Sequence, residues 1–206
     1  MPPHFAENDA RWTHLFITKI GAGTVVTQGT KQLHANFVPL LFDNERNVLR
    51  GHIARANGQW SDLAGDAQAL VTFTGANAYI SPNWYASKSE THRVVPTWNY
   101  EVVHVYGTIS YSHNAATLLD IIGALTDRQE ADSATPWSVR EAPEEYIDTL
   151  VKSIVAFEVA ISRIEAKRKL CQHYSQADRW GAIAGLRERG DYQSTQIADA
   201  MESFDP

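Results

Sequence analysis

The sequence contains one cysteine, Cys171, and two methionines among 206 residues. A single thiol excludes an internal disulfide, and the absence of any Cys-x-x-Cys pair excludes a zinc ribbon or thioredoxin-type motif. The eight histidines are scattered, with no His-x-x-x-His pair, which argues against a metal centre. No run of about 18 apolar residues occurs, so no membrane-spanning helix is expected. Met1-Pro2-Pro3-His4-Phe5 lacks the basic and apolar regions of a secretory leader, so the expected location is cytoplasmic. Positive charge is also scarce. With 18 Lys and Arg against 24 Asp and Glu, the net charge of -6 disfavours a non-specific hold on phosphates. No helix-turn-helix signature is present either, and both facts argue against direct DNA binding. Gly-x-Ser-x-Gly, Walker and paired-carboxylate motifs are missing, so no residue is marked as a catalytic acid, base or nucleophile.

The residues that are present describe a β-rich chain. Trp12, Leu15 and Phe16 recur at helical spacing between Asp9 and Lys19, and Gly21 follows as a helix stop. Runs rich in β-branched and aromatic residues at 24–28, 33–42, 48–54, 69–74 and 78–81 predict strands. Short polar links at Gly29-Thr30 and at 43–47 predict antiparallel pairing in sequence order, as in a meander or barrel. A long bent strand is expected from Trp98 to Tyr111, with Gly107 marking a bulge or the close approach of another backbone. Asn114 caps a helix to about Asp127, and Pro143 opens another whose apolar face extends to Ile154. Phe157, Val159 and Ile161 then alternate with Glu158, Ala160 and Ser162, as in a half-buried strand. Ser175 caps a last helical region, broken at Gly190. About six antiparallel strands with peripheral helices and no βαβ alternation indicate an α+β chain on a small barrel. It reads as a single domain over 1–206 with a C-terminal helical extension at about 175–206.

Five blocks carry a resemblance to a known family. They are Leu49-Arg50-Gly51-His52-Ile53-Ala54-Arg55-Ala56-Asn57-Gly58-Gln59-Trp60, Ala78-Tyr79-Ile80-Ser81-Pro82-Asn83-Trp84-Tyr85 and Val95-Pro96-Thr97-Trp98-Asn99-Tyr100. The fourth is Phe157 to Ile161 running on to Lys167-Arg168-Lys169-Leu170-Cys171-Gln172, and the fifth is Ala177-Asp178-Arg179 with Gly181 to Leu186. In this order they resemble the PaiB-like FMN-binding negative transcriptional regulators. The resemblance implies a split β-barrel that forms a homodimer and holds FMN where two subunits meet. The sequence departs from the family pattern at Cys171 and His173, where Ser and Asn are usual, and at Gly58, where Pro is common.

FMN needs cationic or hydroxyl donors at its phosphate and apolar or aromatic walls at its ring. With the resemblance, Arg50, His52, Arg55 and Asn57 are expected at the phosphate, Trp98, Asn99 and Tyr100 beside the ring, and Lys169 and Gln172 as further contacts. The residues alone leave other readings open: Arg50 and Arg55 as solvated side chains, His52 as a core histidine, Trp98 and Tyr100 as core or interface, and Lys167 to Lys169 as a charged strand end. Three functions fit: a flavin-binding regulator, an FMN-dependent oxidoreductase or flavin reductase, and a dimeric protein that binds haem or another anion, with His52, His104 or His173 as axial candidates for haem. Cys171 reads as a small, partly buried apolar residue, or as a reactive thiol activated by Lys169.

Overall fold

In a computed structural model, residues 2–63 and 67–204 are described. The chain is α+β, with an eight-stranded antiparallel sheet and six α-helices among these residues. The strands are β1 (Ala6–Glu7), β2 (Ala22–Gln28), β3 (Leu33–Pro39), β4 (Leu41–Asp43), β5 (Val48–Ala54), β6 (Gln68–Ile80), β7 (Thr97–Ser112) and β8 (Ile154–Lys169). The helices are α1 (Ala10–Ile20), α2 (Lys88–Thr91), α3 (Ala115–Glu130), α4 (Glu144–Val151), α5 (Gln176–Arg189) and α6 (Tyr192–Ser203).

Strand order is β3-β2-β6-β7-β8-β5-β4, with β1 on the far end of β8. This order corrects the expected pairing in sequence order. The β2–β3 and β4–β5 links are antiparallel hairpin connections as their polar residues require, but β5 then pairs with β8 rather than with its next strand in sequence. Two expected strand boundaries also move. The run 33–42 breaks at Leu40, whose backbone N–H leaves the ladder to bond the Gly21 carbonyl. The runs at 69–74 and 78–81 join into the single strand β6, which lies between β2 and β7 in the sheet. The helix after Pro143 ends at Val151, and Ile154 opens β8 instead.

Contacts divide the chain into two compact units. The first comprises 1–9, 74–103 and 165–206, and the second comprises 10–73 and 104–164, so β6, β7 and β8 each contribute residues to both. In the first unit, Ile80, Leu170, Leu186, Ile197 and Met201 are buried together with Tyr85 and Cys171. Ser175 caps α5 by accepting from the Asp178 N–H, Gly190 ends it at φ 69°, and Asp191 caps α6 through the Ser194 N–H. The α5 face carrying Gly181 and Gly185 has no room for side chains, because Trp84 lies against both.

In the second unit, Leu118, Ile121 and Leu125 of α3 pack on Val151 and Ala156. Asn114 caps α3 by accepting from the Thr117 N–H. Gly107 on β7 lies so close to β8 that a Cβ there would stand 2.2 Å from the Ala160 carbonyl oxygen. That is the close backbone approach expected of it. Arg128 reaches back from α3 and donates to the carbonyls of Leu40 and Gly21, where burial pushes its pKa down.

Candidate functional site

The first unit carries a surface where cations meet aromatic rings. On β7 side chains alternate, so Trp98 and Tyr100 share one face and Asn99 takes the other. Trp98 is half exposed, donates its indole N–H to Asn77 Oδ1 at 3.2 Å, and meets the Tyr79 ring edge-on at 6.2 Å. Lys169, near the end of β8, donates to Thr97 Oγ1 and to the Trp98 carbonyl, the latter at 2.9 Å. Lys167, two residues earlier on the same strand, places its ammonium 5.1 Å from the centre of the Tyr100 ring. Phe5 closes this group, 5.9 Å from both ammonium groups and 5.4 Å from His173. Neither lysine has a carboxylate partner among the described residues, so both charges stand uncompensated. Arg168 points elsewhere and pairs with Glu101 and Glu7.

Asn99 is fully buried, and its amide faces sulfur, with Nδ2 3.3 Å from both Cys171 Sγ and Met201 Sδ. Gln172 is half-buried and spends its amide on backbone, accepting from the Leu170 N–H and donating to the Arg168 carbonyl. Both residues hold the β8 end and the following turn in place. Cys171 is completely buried at φ 58°, and burial pushes its thiol above the usual range despite Lys169 nearby. The thiol is therefore packing, not a nucleophile. Native protein is expected to resist alkylation by maleimide at neutral pH and to react with one equivalent once unfolded; full labelling of the folded chain within minutes would show that the thiol is reached through opening of this core.

The second unit holds the remaining candidates, and it separates them. Arg50 on β5 faces Glu158 of β8 directly across the ladder and donates to it from Nε at 3.1 Å, and its Nη2 binds Asp120 of α3. Arg46 adds a two-pronged bond to the same Glu158 at 2.9 Å. These four charged groups, with Ser110, Thr117 and Phe157, line a cavity of about 500 Å³. His52 lies on the Arg50 face of β5, opposite Ala156; burial pushes its pKa down and its Nδ1 has no hydrogen-bond partner among the described residues. The neutral form brings no charge to a phosphate. Arg55 turns to the carbonyls of Lys152 and Ile154 and to His113 Nδ1, and so bridges three segments without meeting a carboxylate. Asn57 caps a 3-10 turn through the Gln59 N–H and donates to Asn36, within an amide cluster that Gln59 anchors to β2.

The structure thus groups Trp98, Tyr100 and Lys169, and adds Lys167, which sequence reading placed behind Lys169 in the same basic run, and Phe5, which it passed over. Lys167 was visible as part of a basic run, but which of its three residues shared a face with Tyr100 depended on the register of β7 against β8. Arg46, Asp120 and Glu158 were missed as well. Arg46 read as a turn residue and Glu158 as the polar phase of a strand, and only their common approach to Arg50 gives them chemistry.

Residues 1–163 match a family model described as "Putative FMN-binding domain". The chain is 29% identical to Protease synthase and sporulation protein PAI 2 of Bacillus subtilis, over 98% of this chain and 96% of that protein. An uncharacterized protein of Emericella nidulans is 34% identical over 75% of this chain and 72% of its own length. Among solved structures, the FAD and heme binding protein of Mycobacterium smegmatis superposes with a TM-score of 0.59 at 15% identity, covering 87% of this chain and 80% of that one. That likeness concerns the fold. With a family model spanning most of the chain and a relative matched from end to end, the chain belongs to the FMN-binding split-barrel family of PaiB type.

Proposed function

We propose that this protein binds FMN on the aromatic and cationic surface of its first unit, as a homodimeric flavoprotein. The observation that carries the reading is a pair of ammonium groups without carboxylate partners, Lys169 on the backbone carbonyl of the half-exposed Trp98 and Lys167 facing the ring of the partly exposed Tyr100. A planar ring bearing a dianionic phosphate asks for that combination. Arg55 is the corresponding cation of the second unit, since its partners are carbonyls and an imidazole, whereas two carboxylates already cancel Arg50. When bound, FMN would supply redox chemistry of its own, and the chain's part would be to hold and orient it.

Assembly into a dimer is supported by β3. Its outward residues Leu33 and Phe37 are 67% and 74% exposed, Ala35 lies between them, and Val26 and Leu70 continue the same face across β2 and β6. Large apolar side chains exposed on an edge strand suit burial against a second copy. The regulatory role named for PaiB-type proteins is proposed here without direct DNA contact, in view of the net charge of -6.

One preparation tests these statements. Titration is expected to quench FMN fluorescence with one site per chain, sedimentation to give a dimer at micromolar concentration, and random duplex DNA to stay unshifted at physiological salt. Absence of FMN quenching, or a Soret band in place of flavin absorbance, would refute the cofactor. A monomer that binds FMN would refute the assembly, and a salt-sensitive DNA shift at submicromolar protein would restore direct repression.

A further inference from the structure

The cavity of the second unit has a composition that FMN does not explain. It holds two arginines and two carboxylates, so its formal charge is zero, and a phosphate dianion entering it would face Glu158 and Asp120 as well as the arginines. The charges are also ordered in depth. Arg50 is the more enclosed, at 14% side-chain exposure, while Asp120 stands at the mouth at 63%. Glu158 has both oxygens engaged, one by Arg46 and Arg50 together and the other by Arg46. Arg50 and Asp120 are engaged only in part. Arg50 uses Nε and Nη2, which leaves Nη1 without a hydrogen bond among the described residues, and Asp120 uses only Oδ2. Phe157 and Ser110 complete the wall with an apolar face and a hydroxyl.

We propose that this cavity is a binding site for a small dipolar molecule, with a carboxylate seated on Arg50 and Ser110 and an ammonium group held at the mouth by Asp120. Such a ligand adds one acceptor where a guanidinium N–H is unused and one donor where a carboxylate oxygen is unused, and it leaves the cavity neutral. A simple anion would satisfy Arg50 but repel Asp120 and Glu158; a simple cation would do the reverse. The arrangement thereby rejects singly charged compounds of the same size. A volume of about 500 Å³ is in the range of small-molecule sites and suits a compound of amino-acid size. This assignment stands apart from the flavin reading, since the cavity lining includes none of Trp98, Tyr100, Lys167, Lys169 and Arg55.

The test is calorimetric titration of the full-length protein with ω-amino acids from 3-aminopropanoate to 6-aminohexanoate, beside butanoate and butylamine as singly charged references. At least one chain length is expected to bind ten times or more tighter than either reference. Asp120→Asn, at an exposed position where folding is not at stake, is expected to bring that compound down to the level of butanoate. Arg50→Met, which leaves Glu158 its bond to Arg46, is expected to bring it down to the level of butylamine. If every probe binds within threefold of the references, or if the preferred amino acid keeps its advantage in Asp120→Asn, the proposal is wrong. If butanoate binds as tightly as any amino acid, the cavity is an anion site and the dipolar assignment fails. FMN quenching by the same samples reports on the flavin reading separately, because neither substitution touches Trp98, Tyr100 or Lys169.

Discussion

Replacing Lys169 with alanine is expected to weaken FMN binding by about tenfold to a hundredfold, since charge-assisted hydrogen bonds to a phosphate contribute roughly 1.5–3 kcal/mol each. The lysine also bonds the Trp98 carbonyl and Thr97, so a loss of affinity alone would not separate a phosphate contact from a prop under the β7 start. Riboflavin separates them. The parent is expected to prefer FMN over riboflavin by a similar factor, and Lys169→Ala is expected to shrink that preference toward parity while riboflavin binding hardly changes. If both flavins weaken together, Lys169 only shapes the ring surface. If parent and variant affinities for both flavins agree within threefold, the phosphate lies elsewhere. Arg55→Ala belongs in the same series, with its unfolding measured alongside, because its guanidinium ties the β5 turn to the carbonyls of Lys152 and Ile154.

The second large effect is on stability. Gly107→Ala is expected to cost at least about 2 kcal/mol or to prevent folding, because overpacking of this kind is relieved only by moving backbone. Its Cβ would lie 2.2 Å from the Ala160 carbonyl oxygen and 2.9 Å from Val159 Cγ1, and the oxygen belongs to a strand that cannot retreat without breaking its ladder. Gly123→Ala supplies the opposite sign. A Cβ there meets nothing within 4 Å, and the position is inside α3, so alanine is expected to stabilise by roughly 0.5–1 kcal/mol through helix propensity. Urea unfolding of both variants decides the matter. Equal midpoints for Gly107→Ala and the parent would mean that β7 and β8 are not as close in solution as they are here.

Local patterns were legible where one period or one cap dominated. Val48–Ala54 came out as β5, Asn114 and Ser175 as caps, and Gly107 as a close approach, because each depends on the conformational freedom or side-chain chemistry of a few consecutive residues. Sheet order was not legible. Nothing between Ala54 and Gln68 announces that β5 will take β8 as its partner, a pairing between residues a hundred or more positions apart. Sequence reading also missed the split at Leu40, since Arg128, the side chain that donates to the carbonyls of Leu40 and Gly21, comes from α3. At the flavin surface, residue types pointed to the chemistry but not to its geometry. Asn99 had the same standing as its neighbours in the Thr97–Tyr100 block, yet strand alternation sends it into the core beside Cys171. The cavity of the second unit was invisible for a different reason, as its four charged residues come from a turn, two strands and a helix.

The sealed position of Cys171 has a practical side. Because the chain's sole thiol is sequestered in the first unit's core, a cysteine introduced at an exposed site would be the one group open to a spin label or fluorophore. Leu15 on α1 and Tyr192 at the start of α6 are exposed large apolar side chains away from the β3 face, and each offers such an anchor in a different unit. Pairs of probes at these positions would give distances between copies of the chain and within one copy, with no native thiol to remove first.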